Sequence, residues 1–211
     1  DDKLVMLLAW VVAEGNFDFS DGRRRVSLFQ SKGNPENAAE IEWLLEELGL
    51  SYHRLEKTGT YSNQGVYRYR LNQEGSEYIL RHTDRKCVPS LIRTLSARQI
   101  RLFLDTYIKG DGSIEESGRT RIYTNDQDNL DVLQELCVLA GYGSTLYKRE
   151  DSGVFVLNLV RNHETYIQLI ERRPYKGKVW CPTTRNGTFV ARRRGKIFVT
   201  GNTPFTNLTF D

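Results

Sequence analysis

Apolar and polar positions along this chain alternate between helical spacing and the two-residue period of a half-buried strand. The first run, LLAWVVAEG (7–15), is apolar with helical character and ends in Glu14-Gly15. Residues 16–31 then alternate as NFDF and RVSLFQ around Asp21-Gly22, which predicts a hairpin. Asn34-Pro35-Glu36 opens a helix, with Asn34 as N-cap and Pro35 at its first position. Its apolar stripe is Ala38, Ile41, Leu44, Leu45 and Leu48, and Gly49 ends it, leaving Glu36, Glu40, Glu46 and Glu47 on the solvated side. Residues 52–57 and 65–72 predict a second hairpin, 76–82 a short helix, and Lys86-Cys87-Val88-Pro89 a connection.

The order then repeats. Ser96 with Gln99 forms a capping box for a helix through LDTYIKGDG (104–112), which ends in Asp111-Gly112 as the first run ends in Glu14-Gly15. Residues 113–123 predict a hairpin turning near 116–118, and 126–140 a helix with Leu130, Leu133, Leu136 and Val138 among its apolar positions. A further hairpin follows over 142–149 and 154–160, then a short helix over 164–170. Helix, hairpin, helix, hairpin, helix therefore occurs twice, a duplication of architecture rather than of sequence. Both carboxylates sit at helix C-termini, where the dipole gives them no support. Two such ends brought together would form a cation site.

The three cysteines, Cys87, Cys137 and Cys181, are widely spaced and without CxxC pairs, which argues for a reducing, cytoplasmic setting and against a disulfide frame or a zinc site. No apolar run approaches the roughly 20 residues of a membrane span, and the N-terminus lacks the pattern of a signal peptide. The net charge of +3 is unevenly placed. Residues 172–211 hold nine Lys and Arg against one acid, whereas the preceding 171 residues hold 21 bases against 26 acids. A nucleic-acid surface in the larger part must therefore be a local patch.

The two motif runs, each followed by hairpin, helix and hairpin, resemble the two-motif, single-chain LAGLIDADG homing endonucleases often embedded in inteins. The resemblance covers about residues 3–171. It implies an α+β fold, a duplicated αββαββα unit about a pseudo-twofold axis, with the motif helices side by side and the sheets forming a saddle over double-stranded DNA. Small residues, Ala9 and Ala13 in one helix and Thr106 and Gly110 in the other, would allow close approach. Glu14 and Asp111, with the adjoining Gly15 and Gly112, are then the metal-holding positions for Mg²⁺, since two close carboxylates need a divalent cation to stay ionised. Lys86, 25 residues before Asp111 in KCVPSLI, is similar to a family lysine that polarises the scissile phosphate or attacking water. Lys176 and Lys178 are the candidates for its symmetric partner. The chain departs from the family at Val12 and Lys109, where an acid is frequent, at Glu14 in place of Asp, and at Trp10, which is large for a helix seam. A DNA-binding domain that no longer cuts, within an intein that only splices, is the alternative reading.

In VYRYRLN, Tyr67, Tyr69 and Leu71 share one face and Arg68 and Arg70 the other. DNA-contact candidates are Arg25, Gln30, Lys32, Arg68 and Arg70 in the first half, and Arg119, Arg121, Lys148 and Asn158 in the second, with parity unresolved around residues 23–25. Arginine and glutamine can read base edges, while lysine mostly meets phosphate.

Past residue 171, GKVWCPTTRNGTFVARRRGKIFVTGN (177–202) contains two β-rich runs and resembles the C-terminal splicing blocks of an intein. Asn202 can cyclise and release the chain at Thr203, whose hydroxyl accepts the upstream polypeptide. Gly201 stands where a histidine is usual. Cys181 and Thr200 match two parts of the signature of class 3 inteins, in which the internal cysteine attacks the N-terminal junction. The expected division is thus 1–171 endonuclease (halves 1–90 and 91–171), 172–202 splicing segment and 203–211 host protein, the last similar to a segment of anaerobic ribonucleotide reductases. The chain is expected to act as a monomer, away from membranes, with a separate acidic N-terminal intein fragment as a second partner.

Overall fold

The computed structural model describes residues 1–20, 22–57, 65–160, 171, 174–178 and 182–201, with Ser20 described by its backbone alone. The expected helix over 164–170 lies outside the described residues, as do Asp21, Trp180, Cys181, Asn202 and Thr203.

Helix α1 (Asp2–Glu14) is capped by the Asp1 carboxylate, which accepts from the Lys3 amide. It leads directly into strands β1 (Gly15–Ser20) and β2 (Arg23–Ser31), helix α2 (Pro35–Glu47), and strands β3 (Tyr52–Lys57) and β4 (Val66–Leu71). Helix α3 (Gln73–Leu80) begins three residues earlier than its apolar pattern predicts. The reason is local: the Asn72 side chain accepts from the Gly75 amide and supplies the N-cap. Asn34, by contrast, caps nothing with its side chain, which donates to Gln30 instead; Pro35 alone starts α2.

A 3₁₀ turn (Ser90–Thr94) leads into α4 (Ala97–Asp111), where Ser96 accepts from the Gln99 amide as its capping box requires. The second half continues with β5 (Gly112–Ile114), β6 (Thr120–Thr124), α5 (Gln127–Leu139), β7 (Gly143–Lys148) and β8 (Phe155–Val160). Strands β9 (Thr188–Arg193) and β10 (Lys196–Gly201) form a hairpin about Arg194-Gly195.

Two antiparallel sheets result, ordered β1-β2-β4-β3 and β5-β6-β8-β7-β10-β9. The second has two strands more than the first because β10 pairs with β7 at Lys196 and Thr145. One sheet therefore runs across the change in sequence character at residue 172.

Helix α1 divides the core. Val5, Leu8, Ala9, Val12 and Ala13 join the cluster built on Phe103, Leu104, Tyr107, Leu133 and Leu157. Leu7, Trp10 and Val11 join the other, with Val26, Leu28, Ile41, Leu45, Tyr69 and Leu71. An apolar run without a polar stripe is what a helix needs when both its sides are covered. Trp10, fully buried, faces α2 and not the seam with α4, so its bulk is no obstacle to close helix packing. Among the described residues no helix is long and apolar enough to cross a membrane.

Candidate functional site

The α1–α4 seam brings the two motif ends together. A Cβ on Gly110 would lie 2.7 Å from Ala13 Cβ and 3.3 Å from Glu14 Cγ, so only glycine permits this approach, and it sets the residue before Asp111 against Glu14. The glycines after the carboxylates are needed for space rather than for left-handed backbone. Gly15 has φ −77° and ψ 153°, and a Cβ there would meet Val11 O at 2.1 Å. Gly112 is extended too, and its Cβ would fall 2.7 Å from Ile108 O and 2.9 Å from Arg121 O. At both junctions the chain turns from helix to strand within one residue, which holds the carboxylate there.

The electrostatics match two carboxylates in confinement. Glu14 is pushed up to about 7, first by burial and then by the charge of Asp111, with Lys86 opposing. Asp111 is also raised by burial, against the pull of Lys86 and of a hydrogen bond from Tyr107. Lys86 Nζ stands 3.9 Å from Asp111 Oδ2, with its side chain 48% exposed. Tyr107, buried, donates its hydroxyl to Asp111 Oδ2 at 3.4 Å and is raised well above the usual phenol range by burial and by Asp111.

Lys86 is held from beneath. The buried side chain of Asn129 on α5 donates to Lys86 O (3.1 Å) and accepts from the Val88 amide (2.8 Å). Sequence reading passed over both Tyr107 and Asn129. Asn129 left a signal, a polar residue one turn before Leu133 on the apolar face of α5. Lys176 and Lys178 are exposed, and neither contacts Glu14 or Asp111 among the described residues.

Lys109 is accounted for by a contact between the halves. Glu40 on α2 accepts the Trp10 indole N–H at 3.0 Å and also pairs with the Lys109 ammonium, while Asn37 donates to Lys109 O at 3.2 Å. Glu40 is therefore not simply one of the solvated acids of α2.

Strand register sorts the remaining candidates. In the first sheet Val26, Leu28, Tyr69 and Leu71 face the helices, so Arg25, Ser27, Phe29, Arg68 and Arg70 face away from them. Arg68 donates to Asp18 Oδ2 (2.7 Å) and to Ser27 Oγ, and its guanidinium lies 5.4 Å from the centre of the Phe29 ring. Arg25 and Arg70 share an open hollow with His53 and Gln73. Gln30 and Lys32 do not belong to this face. Gln30 pairs with Tyr67 on the helical side and is 3% exposed, and Lys32 lies over the Tyr67 ring and pairs with Glu56.

In the second sheet Ile122 and Leu157 face the core, which leaves Arg119, Arg121, Tyr123, Thr145 and Asn158 on the open side. Arg121 donates to Asn158 Oδ1 at 3.3 Å and pairs with Glu115. Lys148 is a further correction: its register partner is Phe155, and its ammonium sits 5.0 Å from that ring, on the core side. Alternation alone could not place Gln30, Lys32 and Lys148, because each lies near a strand end where the polar pattern is no longer constrained.

No group of three or more His, Cys, Asp and Glu arranged for a metal is found among the described residues. The donor set at the seam is a pair of hard carboxylate oxygens next to an open face, which suits an ion that keeps several of its waters, as Mg²⁺ does.

Comparison with known proteins agrees with this architecture. Residues 98–173, about a third of the chain, match the family described as LAGLIDADG-like domain. The structure is similar to that of the homing endonuclease I-DmoI, in a form solved in complex with DNA and Mn, with a TM-score of 0.56 and 17% identity, covering 75% of this chain and 89% of that one. It is also similar to full-length DUF199/WhiA from Thermatoga maritima, with a TM-score of 0.54 and 11% identity, covering 75% and 50%. At such identities the likeness is one of fold. A curated relative, the ribonucleoside-diphosphate reductase subunit beta of Aquifex aeolicus (strain VF5), is 26% identical over 116 residues, which is 49% of this chain and 16% of that protein. The chain thus spans about one sixth of the length of this relative.

Proposed function

We propose that the chain is a monomeric, site-specific DNA endonuclease, with Glu14 and Asp111 holding a divalent cation and Lys86 acting beside them. The observation that carries this is the meeting of two partly buried carboxylates at the ends of packed helices, Glu14 raised by burial and by the charge of Asp111, between two sheets with basic open faces. Such repulsion has no structural benefit and is relieved when a cation binds. I-DmoI structures in complex with DNA and Mn, or with DNA and Ca, support the same use of the fold.

Glu14 and Asp111 would hold the metal, and Mg²⁺ is the ion proposed. When bound, it supplies an activated water and charge neutralisation at the phosphate. The chain's own groups do the rest. Arg25, Arg70, Arg119 and Arg121 contact the duplex from the open sheet faces and fix its register, with Asn158 beside them. Tyr107 orients the Asp111 carboxylate by donating to Oδ2. Lys86, half exposed, reaches from Asp111 toward the duplex, where its ammonium stabilises charge on the scissile phosphate. Gly110 allows the seam to close behind this group.

The tail completes the reading as the C-terminal part of an intein, with Cys181, Thr200, Asn202 and Thr203 as the splicing residues. Thr200 lies in β10, one residue before its end, paired with Phe189; the other three lie outside the described residues. A match to about one sixth of a reductase subunit is consistent with an element inserted in a longer host. The test of the nuclease is incubation with DNA spanning the uninterrupted insertion site. Mg²⁺-dependent breaks that disappear with Glu14→Gln or Asp111→Asn are expected, and tight binding without cleavage would instead identify a domain that binds DNA and no longer cuts.

A further inference from the structure

Among the described residues, the hairpin β9–β10 gives the second sheet two strands that the first sheet lacks. Its turn is firmly seated. Leu146 N donates to Gly195 O at 3.1 Å, and the Gln134 side chain donates to the same oxygen at 3.0 Å. A Cβ on Gly195 would meet Leu146 O at 2.7 Å, and with φ +74° the position calls for glycine twice over. Arg192 turns toward α5, where it pairs with Asp131 at 2.5 Å and donates to Gln134.

That anchor fixes the parity of the whole hairpin. With Arg192 on the helical side, Arg193 points to the other, and its register partner Lys196 lies opposite Thr145. Thr145 in turn pairs with Asn158, and Asn158 with Arg121. Arg121, Asn158, Thr145, Lys196 and Arg193 therefore form one row across four neighbouring strands and the hairpin's outer strand. Arg193 and Lys196 are exposed, and neither makes an ion pair among the described residues, whereas Arg121 and Arg192 are both paired.

Resting on the proposed DNA-binding function, we propose that the β9–β10 hairpin is an additional DNA-contact element, with Arg193 and Lys196 meeting backbone phosphates of the duplex beyond the reach of β7. The argument is one of charge and continuity. Two unpaired cations at the end of a row that already carries Arg121 and Asn158 face where a polyanion would run. Among the described residues the first sheet ends at β3 with no counterpart, so the contact is one-sided and the bound duplex is held asymmetrically.

Two lost phosphate contacts have a defined signature, because each released cation contributes about 0.9 to the slope of log affinity against log salt. Binding of the full chain to a fluorescein-labelled duplex of mixed sequence would be measured by anisotropy across a salt series. The Arg193→Ala/Lys196→Ala variant is expected to bind more weakly, with a slope shallower by about 1.8. The Arg193→Lys/Lys196→Arg exchange should restore the slope, and Lys148→Ala, on the core side, should leave it unchanged. An unchanged slope in the alanine variant, with Arg70→Ala still lowering it, overturns the hairpin's part and leaves the DNA-binding reading standing. Failure of the unmodified chain to bind any duplex overturns both.

Discussion

Replacing Glu14 by Gln should make the metal-free protein more stable at pH 8, although it removes a side chain on which cleavage is proposed to depend. Burial and the Asp111 charge raise Glu14 from 4.5 to about 7. At about 1.4 kcal/mol per pH unit, that rise corresponds to roughly 3 kcal/mol against the ionised folded state. Partial solvent access screens the interaction, so about 1–2 kcal/mol is the realised expectation. Because the folded value lies above the unfolded one, the folded protein retains a proton between about pH 4.5 and 7. The associated stability is present below 4.5 and is lost as pH rises through that window. Asp111 is raised as well and acts with the same sign.

Glutamine pays no such cost. Thermal unfolding in a chelator should therefore give equal midpoints near pH 4, and a midpoint roughly 2–6 °C higher for Glu14→Gln at pH 8. Adding Mg²⁺ at pH 8 should reverse the order by stabilising the unmodified protein alone. Equal midpoints at pH 8 in the chelator would refute the account of Glu14 as a carboxylate confined beside Asp111.

Four further outcomes follow from the same geometry. Gly110→Val should destabilise by about 2 kcal/mol or more in urea unfolding, since even a Cβ overlaps Ala13. Glu40→Ala leaves the buried indole N–H of Trp10 unpaired and frees Lys109, a loss of about 1–3 kcal/mol on the same measurement. Lys86→Ala should lower the single-turnover cleavage rate by roughly a hundredfold or more while duplex affinity stays within about threefold. Asn129→Asp keeps the acceptor for the Val88 amide and removes the donor to Lys86 O, so it should slow cleavage without a matching loss of affinity.

Much of the architecture was legible because local rules set it. Among the described residues, the period of the apolar positions placed four of the five α-helices and eight strands of the two halves. Capping by Ser96 and a start at Pro35 marked two helix beginnings, and the paired Glu-Gly and Asp-Gly endings pointed to the junction where the carboxylates meet. Helix α3 began early because Asn72 capped it, a side-chain choice that an apolar pattern does not record. The arginine faces of β4 and β6 followed from alternation, since a half-buried strand leaves no other arrangement.

What the sequence by itself determined was therefore the elements of the described residues, their repeated order, and the placing of the two carboxylates at helix ends. Tertiary structure alone decided what those groups face. Whether Trp10 lies on the seam depends on which side of α1 each core covers, and a helix buried all round carries no stripe to say so. The faces of Gln30, Lys32 and Lys148 depend on register near strand ends, where a polar residue can lie on the helical side, buried as Gln30 is or exposed as Lys148 is. The same holds for the basic hairpin. Its charges were plain in the sequence, but only the seating of Gly195 against β7 and of Arg192 against α5 sets them in one row with Arg121.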